Sequence, residues 1–545
     1  MAALAQPSIG GVVNAASYAQ AVQDSNSKPI GNNIVAQSAI FVVFGSNLGP
    51  AALVQNFVSP VPTILPATNG TSVTVTSGGQ TFPALMVYTS AGQVAAILPS
   101  NTPLGPASVT VTYNGQTSAP FKITVVKTAP GVFTRNGQGT GPAIAQIYPD
   151  NALDALTHSA QPGETLTMYA TGMGPAAVPD NLVSPPTALG NVTVNIAGQT
   201  VTGSAFQISP GFDQFNFQVP ANAPAGCYIP AEVTVNGQPS NLFYLSIASG
   251  TRTCTHPLGL GQDALARLDA GGTANLGHFL MLRAVVQGVP AEGTGGVFDS
   301  VDANGAFQLT NRILYAFGGA SYPVAVGSCA VLDSLDPGAG FTVPDLSQVG
   351  GKELLAGDGL TVSGPKGVSQ GIIRNLTGGY LGVFFATLGQ GTWSVIGTGG
   401  ADVGAFTAKT DLPDNLVWTN AGNFSNVPRS DITVTWTGGS VNAQSVITVF
   451  GSSTVINPTD PSKSRGKQFY CNAPASAGKF TIPVAVISQM PSSTVDTAAG
   501  EVEFGSLGLN SGGGSSFTAP LNGGAKLDAG YLAFGEAHTL PVKYQ

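Results

Sequence analysis

Charge is what this sequence has least of. Only 8% of its 545 residues are Asp, Glu, Lys or Arg, against about a quarter in an ordinary soluble protein. Nineteen Lys and Arg form no basic patch and the net charge is −8, which excludes nucleic acid, whose phosphates demand a basic face. Histidine is nearly as scarce. His158, His256, His278 and His538 stand in separate segments with no His-x-x-x-His or Cys-x-x-Cys partner, so a zinc site would need long-range convergence. Long hydrophobic runs are missing too. The most apolar stretch, residues 278–286, is short and contains Arg283, whereas a spanning helix needs about 20 apolar residues; no transmembrane segment is expected.

What replaces charge is 72 Gly and 39 Pro, with abundant Thr, Ser and Asn. That mixture suits many short strands joined by tight turns. Hydrophobic residues make up 43% of the chain and alternate with polar ones, which argues against disorder. The length accommodates about three to five domains. The N-terminus has no basic n-region or long apolar h-region; Ala3-Leu4-Ala5 fits only the tail of a signal peptide with cleavage before Gln6, so the expectation of export rests mostly on composition and fold.

A repeat organises the first half. Phe41-Val42-Val43-Phe44-Gly45-Ser46-Asn47-Leu48-Gly49-Pro50 matches Leu166-Thr167-Met168-Tyr169-Ala170-Thr171-Gly172-Met173-Gly174-Pro175. Gln93 before Leu98-Pro99 matches Gln214 before Val219-Pro220, and Thr110 to Gln116 matches Glu232 to Gln238, each around an Asn-Gly pair. The offsets stay at roughly 121–125, which marks one structural unit used twice. Its period of two, with turn signals every 8–12 residues or so, indicates a β-sandwich.

These features resemble the IPT/TIG group of immunoglobulin-like domains. With Val12-Val13-Asn14-Ala15-Ala16-Ser17-Tyr18, Ala129-Pro130-Gly131-Val132-Phe133-Thr134 and Gly141 to Gln146, residues 8–250 are similar to the C-terminal domain family of uncharacterised secreted acidobacterial proteins. The resemblance implies fold and export. It implies no activity and no catalytic residues, and it makes 127–160 a fixed connection.

Past residue 257 the repeat is lost and the β character persists. Phe298 to Phe307 reads as a hairpin turning at Asn304-Gly305; 322–331, 379–388 and 392–397 read as strands. Ile432-Thr433-Val434-Thr435-Trp436 alternates well, residues 445–450 read as a buried strand, and the Gly/Ser stretch 511–516 reads as a long loop. The expected fold is all-β, with about four immunoglobulin-like sandwiches in series at 1–134, 135–255, 256–410 (topology open) and 411–545.

Candidate chemistry is sparse. A hairpin between Cys227 and Cys254 would bring their sulfurs together; Cys329 and Cys471 are left over, bonded or free. Gly367-Val368-Ser369-Gln370-Gly371 has the letters of a nucleophile elbow but no helix length after it, so Ser369 reads as part of a turn. No cofactor is expected, although structural calcium could sit at Asp299, Asp302 and Asn304 or at Asp150 and Asp154; the first set lacks EF-hand spacing. Trp436 falls on the apolar face of its strand, whereas Trp393 and Trp418 could stack on sugar rings. The sequons at Asn69, Asn191, Asn375 and Asn423 are common strings in so Thr- and Asn-rich a chain.

The sequence therefore points to a non-catalytic secreted or cell-surface structural or adhesive protein. Its partners would be other surface proteins, copies of itself in a homo-oligomer, or glycans. The alternative is an extracellular carbohydrate-binding protein using Trp393 and Trp418.

Overall fold

The computed structural model describes residues 5–545 apart from 19–21, 24–28, 31–32, 57, 287–288, 316–326, 328, 334–350, 376–378, 385–387, 441–444 and 461–462. The chain is all-β, with several sheets and a few short helices.

In the first unit, β1 (Ser8–Asn14), β2 (Ile40–Ser46), β3 (Thr71–Ser77), β4 (Leu85–Thr89), β5 (Gln93–Ile97), β6 (Gly105–Tyr113) and β7 (Phe121–Val126) make two facing sheets. Alternation does the work: in β3 every second residue is buried, placing Val73 and Val75 against Val43, Val94 and Val109. The second unit holds β8 (Thr165–Thr171), β9 (Thr187–Ile196), β10 (Gln199–Ser209), β11 (Phe212–Gln218), β12 (Gly226–Val235) and β13 (Phe243–Ile247). Here one sheet folds over a core that joins Leu166, Met168 and Phe215 to Val233 and Phe243.

The repeat seen in sequence is a repeat of pairing. β2 pairs antiparallel with β5, and β8 with β11, at matching registers. Both Asn-Gly turns, Asn114-Gly115 and Asn236-Gly237, have positive φ at the two central residues, as a type I′ hairpin requires. After each turn a serine accepts the same bond: Val111 N–H to Ser118 Oγ and Val233 N–H to Ser240 Oγ, both 3.1 Å. The two units are fixed to each other. Ile40 N–H donates to Thr171 Oγ1, and Asp180 accepts from Ser100 N–H and both the Ser38 and Ser100 hydroxyls.

The second half opens with α1 (Gln262–Asp269), β14 (Ala274–Val286), β15 (Val289–Val301) and α2 (Ala303–Tyr315). Then come β16 (Cys329–Asp333), β17 (Gly359–Ser363), β18 (Ser369–Arg374), β19 (Tyr380–Phe384), β20 (Gly391–Gly397) and β21 (Phe406–Leu412). The chain closes with β22 (Ile432–Thr437), β23 (Val446–Ile456), β24 (Arg465–Pro474), β25 (Val502–Phe517) and β26 (Ala529–Pro541). All but the helices and β22 belong to one 13-stranded sheet; twelve strands run in the order β16-β24-β23-β25-β26-β14-β15-β19-β18-β17-β20-β21, and the short strand Lys352–Glu353 pairs with β15 off that path.

That sheet corrects three expectations. A boundary at 410/411 would cut it in two, because β14 pairs parallel with β26 from Leu276↔Ala529 to Val286↔Thr539. Residues 511–516 are no loop; they lie inside β25, paired with β26. Their glycines are required by close approach, since a Cβ on Gly513 or Gly514 would meet the rings of Phe534 and Tyr531. The hairpin expected at Asn304-Gly305 is instead the start of α2. Asp302 Oδ1 takes the Gly305 N–H at 2.8 Å, which is an N-cap bond; Ala306, Phe307, Leu309 and Thr310 are then buried, a helical spacing. Of the strand expected at 322–331, residues 322–326 and 328 lie outside the described residues, as do 385–387 of the one at 379–388.

One face of the sheet carries two cores, and a row of charge divides them. Arg283 of β14 lies opposite Glu292 of β15 and Glu536 of β26 and pairs with both carboxylates. The remaining oxygens are not wasted: Glu292 accepts from Leu388 N–H and Glu536 from Leu416 N–H, both 2.9 Å. On one side lie Phe279, Met281, Trp393 and Phe534; on the other, Trp436, Val449, Leu507 and Leu509. Cys329 and Cys471, directly opposite in β16 and β24, form a disulfide that fastens the sheet's edge strand.

Candidate functional site

The opposite face of β14 buries Leu276, Leu280 and Leu282 under α1 and α2, and the second unit closes over the same core through Leu156, Tyr228 and Tyr244. This seam is held by specific bonds. Asp269, at the end of α1, accepts from Leu156 N–H, Thr157 N–H and the Thr157 hydroxyl. A second contact lies at the sheet edge, where Asn195 Nδ2 donates to Val331 O and Ala197 packs beside Ala330.

At the seam β12 is irregular. Its register with β13 shifts between Gly226 and Ile229, and Tyr228 sits there at φ +64°. A bulky residue in the left-handed region is strained. What holds it is the Cys227–Cys254 disulfide, with Cα atoms 5.1 Å apart; the pairing expected from the hairpin is present. The Tyr228 ring meets Phe307 and His256 edge-on. Its hydroxyl is buried without a hydrogen-bond partner among the described residues, and the side chain is only 5% exposed. Burial raises the phenol pKa, and it pushes the imidazoles of His256 and His278 down to about 3.

Beside Tyr228 the seam leaves a cavity of about 300 Å³, open to solvent on one side and walled by Tyr244, Arg135, Asp154, Asp269 and Asp302. Asp154 accepts from Ser246 N–H at 2.9 Å and Ala160 N–H at 3.1 Å. Burial nevertheless pushes its carboxyl up to about 7, because desolvation outweighs the two donors. Sequence reading named Asp154, Asp302 and Asn304 of this wall as two separate sets of calcium candidates and did not bring them together. The available signals were Arg135 beside the repeat junction, and a tyrosine directly after a cysteine.

The residues singled out in sequence lie elsewhere or serve the fold. Trp393 is 1% exposed and gives its N–H to Gly389 O; Trp418 is 7% exposed, bonds Asn420 Oδ1 and packs near Phe424. Neither presents a ring face to a sugar, which corrects the stacking expectation: each fills one of the two cores on the divided face. Ser369 is exposed at the start of a strand, opposite Ser363, where a nucleophile elbow needs a helix. The calcium candidates each make bonds within the fold. Asp302 caps α2, Asn304 Oδ1 accepts from Asn136, and Asp150 accepts from Ala152 N–H. Asp299 is buried, and its carboxyl is pushed up to about 7 by burial and by Glu353 nearby.

No protein family and no curated protein matches the sequence. Solved structures do. A surface glycan-binding protein, SGBP-B from a xyloglucan utilization locus of Bacteroides uniformis, aligns over 88% of this chain and 98% of its own at 9% identity and a TM-score of 0.14. Immunoglobulin domains 1–5 of Sidekick-1 align over 94% and 78% at 11% identity and TM-score 0.13. Domains 5–6 of the S-layer protein SbsC align over 41% and 98% at 12% identity and TM-score 0.16. Superpositions this loose carry no argument about fold or function.

Proposed function

We propose that this chain is a non-catalytic extracellular protein of the bacterial cell surface, structural or adhesive in role, built to keep its β units in fixed relation. The observation behind this reading is the pair of seams. The first unit is bonded to the second through Asp180 and Thr171, and the second is buried against the sheet of the second half through Tyr228, Tyr244 and Leu156. Flexible linkers between binding modules would leave such surfaces wet and polar. Two disulfides suit an oxidising compartment. The paired Asn-Gly hairpins and matching strand registers also support the IPT/TIG-type reading of 36–126 and 161–248.

Few charges make assembly with like or unlike surfaces cheap in desolvation. Proteinase treatment of intact cells, with antibody detection of this chain, tests the reading. Signal on unpermeabilised cells that proteinase removes is expected. Signal seen only after lysis, or a purified chain that stays monomeric and binds no cell surface, would overturn it.

A further inference from the structure

The geometry points to the cavity beside Tyr228 as a binding site for a small neutral polyhydroxylated molecule of monosaccharide size. The inference does not depend on the structural role proposed above. At about 300 Å³ the cavity lies at the lower end of the range for small-molecule sites.

Its wall separates into groups already satisfied and groups left over. Asp154 and Asp269 spend both carboxylate oxygens on N–H and O–H donors of the seam. Asn136 gives its amide hydrogens to Thr140 O and Asn304 Oδ1. Left over are the Arg135 guanidinium, Asp302 Oδ2 and the Asn304 amide nitrogen, none of which has a hydrogen-bond or ion-pair partner among the described residues. Two can donate and one is an anionic acceptor.

The ligand class follows from that set. A free anion would face Asp154, Asp269 and Asp302 with only Arg135 in its favour. A metal ion finds no group of three ligating side chains among the described residues. Sugar hydroxyls donate and accept at once, so they match a mixed set that ions do not. The rings of Tyr228 and Tyr244 supply apolar wall for a sugar's C–H faces. The Cys227–Cys254 bond keeps the Tyr228 bulge, and so the wall, in place.

The test is titration of the full chain, by calorimetry and saturation-transfer NMR, with D-glucose, D-galactose, D-mannose, D-xylose, L-arabinose, L-rhamnose and L-fucose. D-galacturonate serves as the anionic counterpart. At least one neutral sugar should bind at one site. Arg135→Ala should weaken it about tenfold, and Ala303→Trp, which fills the cavity, should abolish it. Arg135→Ala also separates site from scaffold: its side chain is exposed, so the Tm should hold while binding falls. Should Ala303→Trp fail to fold, Arg135→Ala carries the test. No binding of any neutral sugar at millimolar concentration, binding indifferent to Arg135→Ala, or binding of galacturonate alone would each overturn the inference.

Discussion

The two halves of this molecule reach a β fold by opposite routes. The first uses one unit twice, with short antiparallel pairings and matched hairpins, so each copy closes on its own segment of chain. The second half builds a single sheet whose centre joins β14 to β26, and its Arg283–Glu536 bond spans 253 residues. Repetition makes the first half modular. Long-range pairing makes the second half indivisible, and the charged row of Arg283, Glu292 and Glu536 divides its interior without dividing its sheet.

The largest test of that contrast is the pair of disulfides. Cys329–Cys471 closes 142 residues and Cys227–Cys254 closes 27, so chain entropy gives about 5 and about 3.5 kcal/mol respectively. All three tryptophans lie in the second half. Cys329→Ser with Cys471→Ser should therefore shift the fluorescence-detected melt strongly, and the Cys227/Cys254 pair should shift it less. Equal shifts would mean that the second half is as modular as the first.

Next is the charged row. Arg283→Met removes the guanidinium that both buried carboxylates share and should cost about 3–5 kcal/mol in chemical denaturation. Adding Glu292→Gln and Glu536→Gln should recover part of it. A mild single-variant effect would show that the two cores are separable after all.

Protonation compares the halves through Asp213 and Asp299, whose carboxyls burial pushes up to about 7. A raised carboxyl contributes stability that is fully present below its unfolded value near 4 and is lost as pH rises through about 7. His256 and His278, pushed down to about 3, act with the opposite sign below about pH 6.5, so the readout is the difference between variant and wild type. Asp213→Asn and Asp299→Asn should each gain on the wild type between about pH 5 and 8, on the order of 1–4 kcal/mol. Only Asp299→Asn should move the tryptophan signal directly.

The smallest effect belongs to the hairpins. Asn114→Ala and Asn236→Ala place a Cβ-bearing residue of low left-handed preference at φ of about +50° and should each cost about 1 kcal/mol. Unequal costs, read from urea midpoints, would break the equivalence of the two copies.

What could be read from sequence follows the same division. Local signals carried the first half: the Asn-Gly turns, the alternation in β3, and the Cys227–Cys254 pair at a hairpin's open end. In the second half local signals misled. Gly513 and Gly514 look like a loop because the rings that need them to lack a Cβ belong to β26. Asn304-Gly305 looks like a turn because the capping carboxylate of Asp302 and the apolar spacing after it outweigh the dipeptide. Trp393 and Trp418 gave no sign of burial, since the partners that cover them are distant in sequence. The cavity was invisible for a similar reason: Arg135, Tyr228 and Asp302 converge only when two units meet.

The parallel pairing of β14 with β26 also sets an order in time. β14 leaves the ribosome roughly 250 residues before its partner exists, so its apolar flank must wait until almost the whole chain has been made. Such high contact order slows closure and prolongs exposure of an unpaired edge. The first half can be complete while this is happening. An exported chain of this design would need its last strand delivered before its middle could be protected.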